Sequence, residues 1–291
     1  MSVADWFSIF CSNVLISSTD LETISARYHQ ITKRINLDYY GSSSDTVHSL
    51  YVGSFGRDTE NHTSDIDVLV QLPYETYAKF NGYSSNGQSA LLQEVKSVLE
   101  KTYSVSKLKG DGQIISLPFS DGINFEVLPA FINKDASYTF PNSNNGGSWK
   151  ITDPKKEIAA ISEMNNKCNK NLKRLCRMVR AWRDENNVPI SGILIDVFAH
   201  TFISSWNERD KSFLYYDWMS RDFFKYLSER STTQNSWQVM GSNRFVPRSG
   251  AFEFKAKTAY SLACEAINAA KDYPVTAKSK WREIYGSKFP S

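Results

Sequence analysis

The sequence predicts an α+β chain of two lobes: a mixed sheet with helices over residues 1–150, then a helical lobe over 151–291. Three observations carry this reading. Period-two alternation in "LYVGSFGRDTENHTSDIDVLVQL" (50–72) and "INFEVLPAF" (123–131) marks strands with one apolar face. Helical spacing marks "NKNLKRLCRMVRAWRDE", "SGILIDVFAHTFISSW", "SRDFFKYLSER" and "FKAKTAYSLACEAINAA" in the second half. Between the halves lies "YTFPNSNNGGSWKITDP", whose Asn, Gly and Pro break both patterns and place the lobe boundary near residue 150.

The opening "MSVADWFSIFCSNVLISSTD" reads as an amphipathic first helix, and helical spacing continues through "DLETISARYHQITKRINLDYY" until "GSSSDT" interrupts it. The strand of the 50–72 segment follows. "SALLQEVKSVLEKTY" (89–103) reads as a helix, with strands expected at "SVSKLKG", "QIISLPF" and "INFEVLPAF". No internal repeat or long low-complexity tract interrupts the chain.

Composition narrows the function classes. The chain has 291 residues, 41% of them hydrophobic, enough for one large core or two smaller ones. With 34 basic and 31 acidic residues the net charge is +3, too mild to hold a nucleic acid by bulk attraction, so any polyanion site must be local. Cys11, Cys168, Cys176 and Cys264 are widely spaced, which suggests neither a zinc site nor a disulfide framework but reduced thiols in a cytoplasmic protein. No apolar run reaches the roughly 18 residues needed to cross a bilayer, and the opening segment lacks a basic stretch ahead of its apolar patch, so no membrane association is expected.

Residues two apart in a strand share a face, so Asp65, Asp67 and Leu69 point one way while Ile66, Val68 and Val70 point the other. An isolated pair of this kind usually belongs to an edge strand with its polar side in water. "INFEVLPAF" repeats the pattern, with Phe125 and Val127 on the apolar side and Glu126 opposite. Were the two strands neighbours at ~4.8 Å, three like charges would converge and repel unless a divalent cation lay among them. Hard oxygen ligands suit Mg2+, with Mn2+ as an alternative, and the remaining coordination positions suit water and substrate phosphates. Gly53 would let the backbone approach a phosphate, and Ser54 adds a hydroxyl; "GSFG" alone is usually only a turn and is no Walker motif.

On the helix of 169–185, Lys170, Lys173, Arg177 and Arg180 form one stripe opposite Leu172, Leu175, Val179 and Trp182. Such a stripe is usually a solvated face, yet four cations without an intervening acid also suit a triphosphate.

Taken together, "GSFGRDTENHTSDIDVLV", "FEVLPAF" and "LKRLCRMVRAW" resemble the polymerase-beta-like nucleotidyltransferases, and among them the oligoadenylate synthases and the bacterial relatives of cyclic GMP-AMP synthase, the CD-NTases. The closing "KWREIYGSKFP" is similar to the ending common in those bacterial enzymes. The resemblance implies a nucleotidyltransferase palm followed by a helical lobe closing the nucleotide pocket. It implies catalytic, metal-binding roles for Asp65, Asp67 and Glu126, and nucleotide contacts from Gly53, Ser54, Ser64, Lys173, Arg177, Arg180 and Ser191. Ser191, opening the helix in "PISGILID", is by propensity also a plain N-cap. Two residues depart from the family's usual pattern: Glu126 stands where Asp is commoner, and Arg180 where Lys often stands.

The implied activity joins nucleoside triphosphates, ATP among them, with release of pyrophosphate, and closes a cyclic di- or trinucleotide for antiphage signalling. The product would diffuse to a downstream effector, with no stable nucleic-acid partner. A linear oligoadenylate synthase, an RNA-end nucleotidyltransferase, a catalytically inactive nucleotide sensor and an RNA-binding protein are the alternatives. Base recognition has only loose candidates: Asn243 and Arg244 in "GSNRF", and Tyr215, Tyr216 and Trp218 in "FLYYDWM".

Overall fold

A computed structural model describes residues 1–61 and 65–291. By its internal contacts the chain forms two compact units, an α/β unit of Ile16–Gly56 with His62–Lys155, and a helical unit of Met1–Leu15, Arg57–Asn61 and Lys156–Ser291. This division departs from the expected 1–150 and 151–291 in two respects. The first helix and the short stretch after "GSFG" belong with the helical unit, and the change-over falls five residues later.

The reason for the first departure is aromatic. α1 (Val3–Asn13) is opened by a reciprocal cap in which the Asp5 amide donates to Ser2 Oγ and the Ser2 amide to Asp5 Oδ2. Its apolar face is Trp6, Phe7 and Phe10, and Phe7 lies 5.0 Å edge-on from Trp281 while Phe10 lies 4.5 Å from Tyr285. Each buried aromatic ring contributes roughly 1.5 to 3 kcal/mol by leaving water, so the helix goes where the rings are. Periodicity reveals an apolar face but not its partner.

In the α/β unit, α2 (Ser18–Tyr40) starts at the Ser17 cap and stops at Gly41 in the left-handed conformation. There follow β1 (Ser49–Tyr51), the five-residue helix α3 (Gly53–Arg57), β2 (Ile66–Gln71), α4 (Tyr74–Asn81), α5 (Gly87–Glu100), β3 (Lys109–Asp111), β4 (Ile114–Pro118), β5 (Asn124–Ile132), β6 (Tyr138–Asn142) and β7 (Ser148–Thr152). The sheet runs β1-β2-β5-β4-β3, with β6 and β7 continuing from β5. Among the described residues only β2 and β5 pair in parallel, which makes the sheet mixed and the class α+β. Ile66, Val68, Phe125 and Val127 fill the core under α2 and α5 with Ile31, Leu91 and Val95. Three local expectations are corrected here. "GSFG" is the start of a helix, the strand expected over 104–110 begins only at Lys109, and the Asn- and Gly-rich boundary segment itself folds into β6 and β7.

The helical unit comprises α6 (Pro154–Lys167), α7 (Asn171–Glu185), α8 (Gly192–Ser205), α9 (Tyr216–Ser228), the small hairpin of β8 (Ser236–Gln238) and β9 (Phe245–Pro247), α10 (Glu253–Ala269) and α11 (Pro274–Tyr285). Trp182, Phe198, Phe223 and Phe224 lie at its centre. All four cysteines are free thiols. Among the described residues no helix is long and apolar enough to cross a membrane.

Candidate active site

The parallel register of β2 on β5 places Asp67 directly opposite Glu126, flanked by the pairs Ile66 with Phe125 and Val68 with Val127. The apolar neighbours are buried, and period two turns both acids to the other face. Asp65, exposed, immediately precedes the strand. Partial burial raises the Glu126 carboxyl to about 7, and the nearby charges of Asp67, Asp65 and Asp111, with a hydrogen bond to Asp67, push the same way. Asp111, from β3, is an acid of this face that sequence patterning had not identified.

Gly53 completes this side. Its φ is +58°, and a β-carbon there would run into the Asp67 carboxylate, so the backbone passes Asp67 at a distance only glycine permits. The Val52 amide donates to the Asp67 carbonyl at 2.9 Å, fixing the approach just before the turn. Ser54 is the next residue of α3. Ser64 lies outside the described residues.

Among the described residues, no three His, Cys, Asp or Glu side chains are gathered as a metal cluster. The donor chemistry of Asp65, Asp67 and Glu126 nevertheless fits a hard divalent cation: three carboxylates within electrostatic reach, one of them driven toward neutrality by burial and by the others.

The basic stripe of the helical unit divides. Lys170 is not in the helix: it caps α7 in the left-handed conformation and bonds Asn166. Lys173 and Arg177 pair with Asp58, and Arg177 also reaches Glu60. Arg180, expected to hold triphosphate, is only 2% exposed and committed elsewhere. It grips Asp196 of α8 with both terminal nitrogens, at 2.7 and 3.0 Å. The same carboxylate accepts from Arg57 Nε at 2.9 Å and from Thr59 Oγ1 at 3.0 Å. Burial alone would raise the Asp196 carboxyl, but Arg180 and Arg57 more than reverse this and hold it below its ordinary value. Arg57 also meets Glu157 at 3.5 Å, and Glu157 accepts from Arg244 at 2.7 Å and Ser242 at 2.8 Å. Arg180 is therefore a buried structural cation, because the fork of a guanidinium and an acid 16 residues on satisfy each other completely.

Ser191 caps α8, accepting from the Leu194 amide at 3.4 Å. Of the base-recognition candidates, Arg244 is engaged by Glu157 and Tyr216 is core; Trp218 remains exposed. The ion network of Arg57, Glu157 and Asp196 escaped sequence reading, although one signal was visible: a lone acid inside the apolar run "GILIDVFAH".

Residues 1–165 match the family described as the Second Messenger Oligonucleotide or Dinucleotide Synthetase domain. A probable cyclic nucleotide synthase of Bacillus cereus (strain VD146) is 26% identical over 184 residues, 57% of this chain and about half (52%) of that relative's length. The cyclic AMP-AMP-AMP synthase of Acinetobacter sp. (strain ATCC 27244 / 9458) is 20% identical over an alignment covering 100% of this chain and 86% of that protein. Among solved structures, Escherichia coli MS115-1 CdnC with ATP superposes with a TM-score of 0.70 at 15% identity, covering 99% of this chain and 98% of the other, a likeness of fold. With a domain match over more than half its length and the full fold shared, this chain belongs to the Second Messenger Oligonucleotide or Dinucleotide Synthetase family, the bacterial CD-NTases.

Proposed function

We propose that the protein is a Mg2+-dependent nucleotidyltransferase that joins nucleoside triphosphates into a cyclic di- or trinucleotide, a diffusible cytoplasmic messenger for antiphage signalling through a downstream effector. The observation that carries this reading is the register opposing Asp67 to Glu126, beside Asp65 and under Gly53. Asp65, Asp67 and Glu126 would hold the cation, with Mn2+ as an alternative. A bound divalent ion supplies charge neutralisation at the phosphates and makes an attacking hydroxyl easier to ionise.

The chain's own groups then have distinct tasks. Gly53 keeps the backbone close to Asp67 and leads into Ser54, whose hydroxyl is offered to the donor phosphates. Lys173 and Arg177 are the cations of the helical unit offered to a triphosphate. In the reaction the 2' or 3' hydroxyl of the acceptor attacks the donor's alpha phosphorus, its proton is lost, the bond to the beta-phosphate bridge breaks, and pyrophosphate leaves. A further transfer closes the ring, the second for a dinucleotide and the third for a trinucleotide, each releasing one pyrophosphate. ATP as one substrate is supported by its presence in the CdnC structure and by the tri-adenylate product in the name of the Acinetobacter relative.

Incubation with four labelled NTPs and Mg2+, then phosphatase and mass spectrometry, tests this. A phosphatase-resistant product of two or three nucleotides containing adenosine is expected. A ladder of linear oligomers or extension of an RNA primer would replace the cyclase with a polymerase; no transfer at all would leave a nucleotide sensor.

A further inference from the structure

The two cations of α7 proposed to meet a triphosphate already hold anions supplied by their own unit. Lys173 Nζ lies 3.0 Å from Asp58 Oδ2, and Arg177 Nη2 bonds the other oxygen, Asp58 Oδ1. One carboxylate thus bridges a lysine and an arginine one turn apart, as the oxygens of a phosphate would. Arg177 Nε donates to the Glu60 carbonyl at 3.0 Å and Nη2 lies 3.4 Å from Glu60 Oε1.

Neither acid is firmly held. Asp58 is 57% exposed in its side chain, where an ion pair contributes little against solvent, and its backbone sits at φ +56°, unfavourable for a residue with a β-carbon. Glu60 is only 13% exposed, its Oε2 has no hydrogen-bond partner among the described residues, and burial raises its carboxyl despite Arg177. By contrast Asp196, on the same helix's Arg180, has both oxygens fully engaged. A triphosphate presents several charges and many acceptors where Asp58 and Glu60 present one charge each.

Resting on the reading of Lys173 and Arg177 as triphosphate ligands, we infer that Asp58 and Glu60 are competing ligands for those cations, displaced when nucleotide binds and thereby setting its affinity. They are affinity-setting acids: every anion that takes these cations bears the same cost of displacing them.

Calorimetric titration with inorganic tripolyphosphate tests this independently of turnover. Asp58→Asn and Glu60→Gln keep shape and remove charge; asparagine also tolerates the left-handed backbone. Each should tighten tripolyphosphate binding roughly 2- to 5-fold, the size expected for releasing one of two ion pairs that share Arg177, and lower the KM for ATP with kcat unchanged. Inorganic phosphate, where it displaces the same acids, should gain by the same factor, because an internal competitor scales the affinity of every such anion alike. Unchanged or weaker tripolyphosphate binding in both variants, with binding still lost in Arg177→Ala, would overturn the competition while leaving the cation assignment standing. Tripolyphosphate binding that survives Lys173→Ala and Arg177→Ala, or is absent from the parent, would overturn both.

Discussion

Two charged regions of this protein solve opposite problems. On the sheet, Asp67 faces Glu126 with Asp65 and Asp111 near, and partial burial together with these like charges raises the Glu126 carboxyl to about 7. In the helical unit, Asp196 is fully buried, yet Arg180, Arg57 and Thr59 satisfy it and keep it ionised. The first group gathers like charges and is the one proposed to take up a cation; the second pairs its acid with cations of the protein itself. Like charges brought together, as against opposite charges paired, separate the proposed site from the knot that holds.

The sharpest way to break that contrast is Asp67→Asn. Product formation should fall by at least about 10³-fold, some 4 kcal/mol in the barrier, while thermal stability stays level or rises as repulsion is relieved. Full turnover, or a Tm lowered by many degrees, would mean that the sheet acids are structural. The mirror experiment is Asp196→Ala, which strands two buried guanidiniums and should cost about 3 kcal/mol or more in denaturant unfolding. Arg180→Ala should behave the same way, and Arg180→Lys should recover part of the loss, since one ammonium cannot replace the fork. Were Arg180→Ala instead to raise the KM for ATP at unchanged stability, the knot would be a substrate site.

Gly53→Ala comes next in size. The positive φ and the clash with Asp67 together should cost roughly 1 to 3 kcal/mol, and because Asp67 must move, activity should fall more than stability. A fully active alanine variant would show that the turn does not control the carboxylate.

The acid face was legible in the sequence because a strand's period of two is rigid. Once "DIDVLV" and "FEVLPAF" are strands with buried Ile66, Val68, Phe125 and Val127, the other face must carry Asp67 and Glu126. The helix α7 was equally legible, but the use of its cations was not. Helical spacing put Lys170, Lys173, Arg177 and Arg180 on a common stripe, while the fates of Lys173, Arg177 and Arg180 depend on partners 16 to 119 residues away. A lone aspartate in an apolar helix has no periodicity by which to announce a guanidinium. Asp58 and Glu60 lie in an irregular stretch where no pattern assigns direction at all. For the same reason α1 could be recognised as amphipathic without disclosing that Trp281 and Tyr285 await it.

The smallest effect tests the surplus charge itself. In the native protein the Glu126 carboxyl is raised to about 7 from an ordinary 4.5, so between those values the folded state binds a proton that the unfolded state has released. Stability attributable to Glu126 is therefore fully present below about 4.5 and is lost as the pH rises through 7. Glu126→Gln stays neutral throughout. In EDTA the variant should melt higher than the parent at pH 8, by only about 1 to 3 °C because the group is half-buried, and the gap should vanish near pH 4.5. Acids away from this face titrate alike in both proteins and cancel in the difference, while Asp67, Asp65 and Asp111 lose a like-charged neighbour in the variant, which adds to the gap in the same direction. Adding Mg2+ at pH 8 should close or reverse the gap, since a cation that binds only the folded parent stabilises it by mass action. A gap unchanged from pH 4.5 to 8 would show that Glu126 ionises normally and that the sheet acids carry no surplus charge for a metal to relieve.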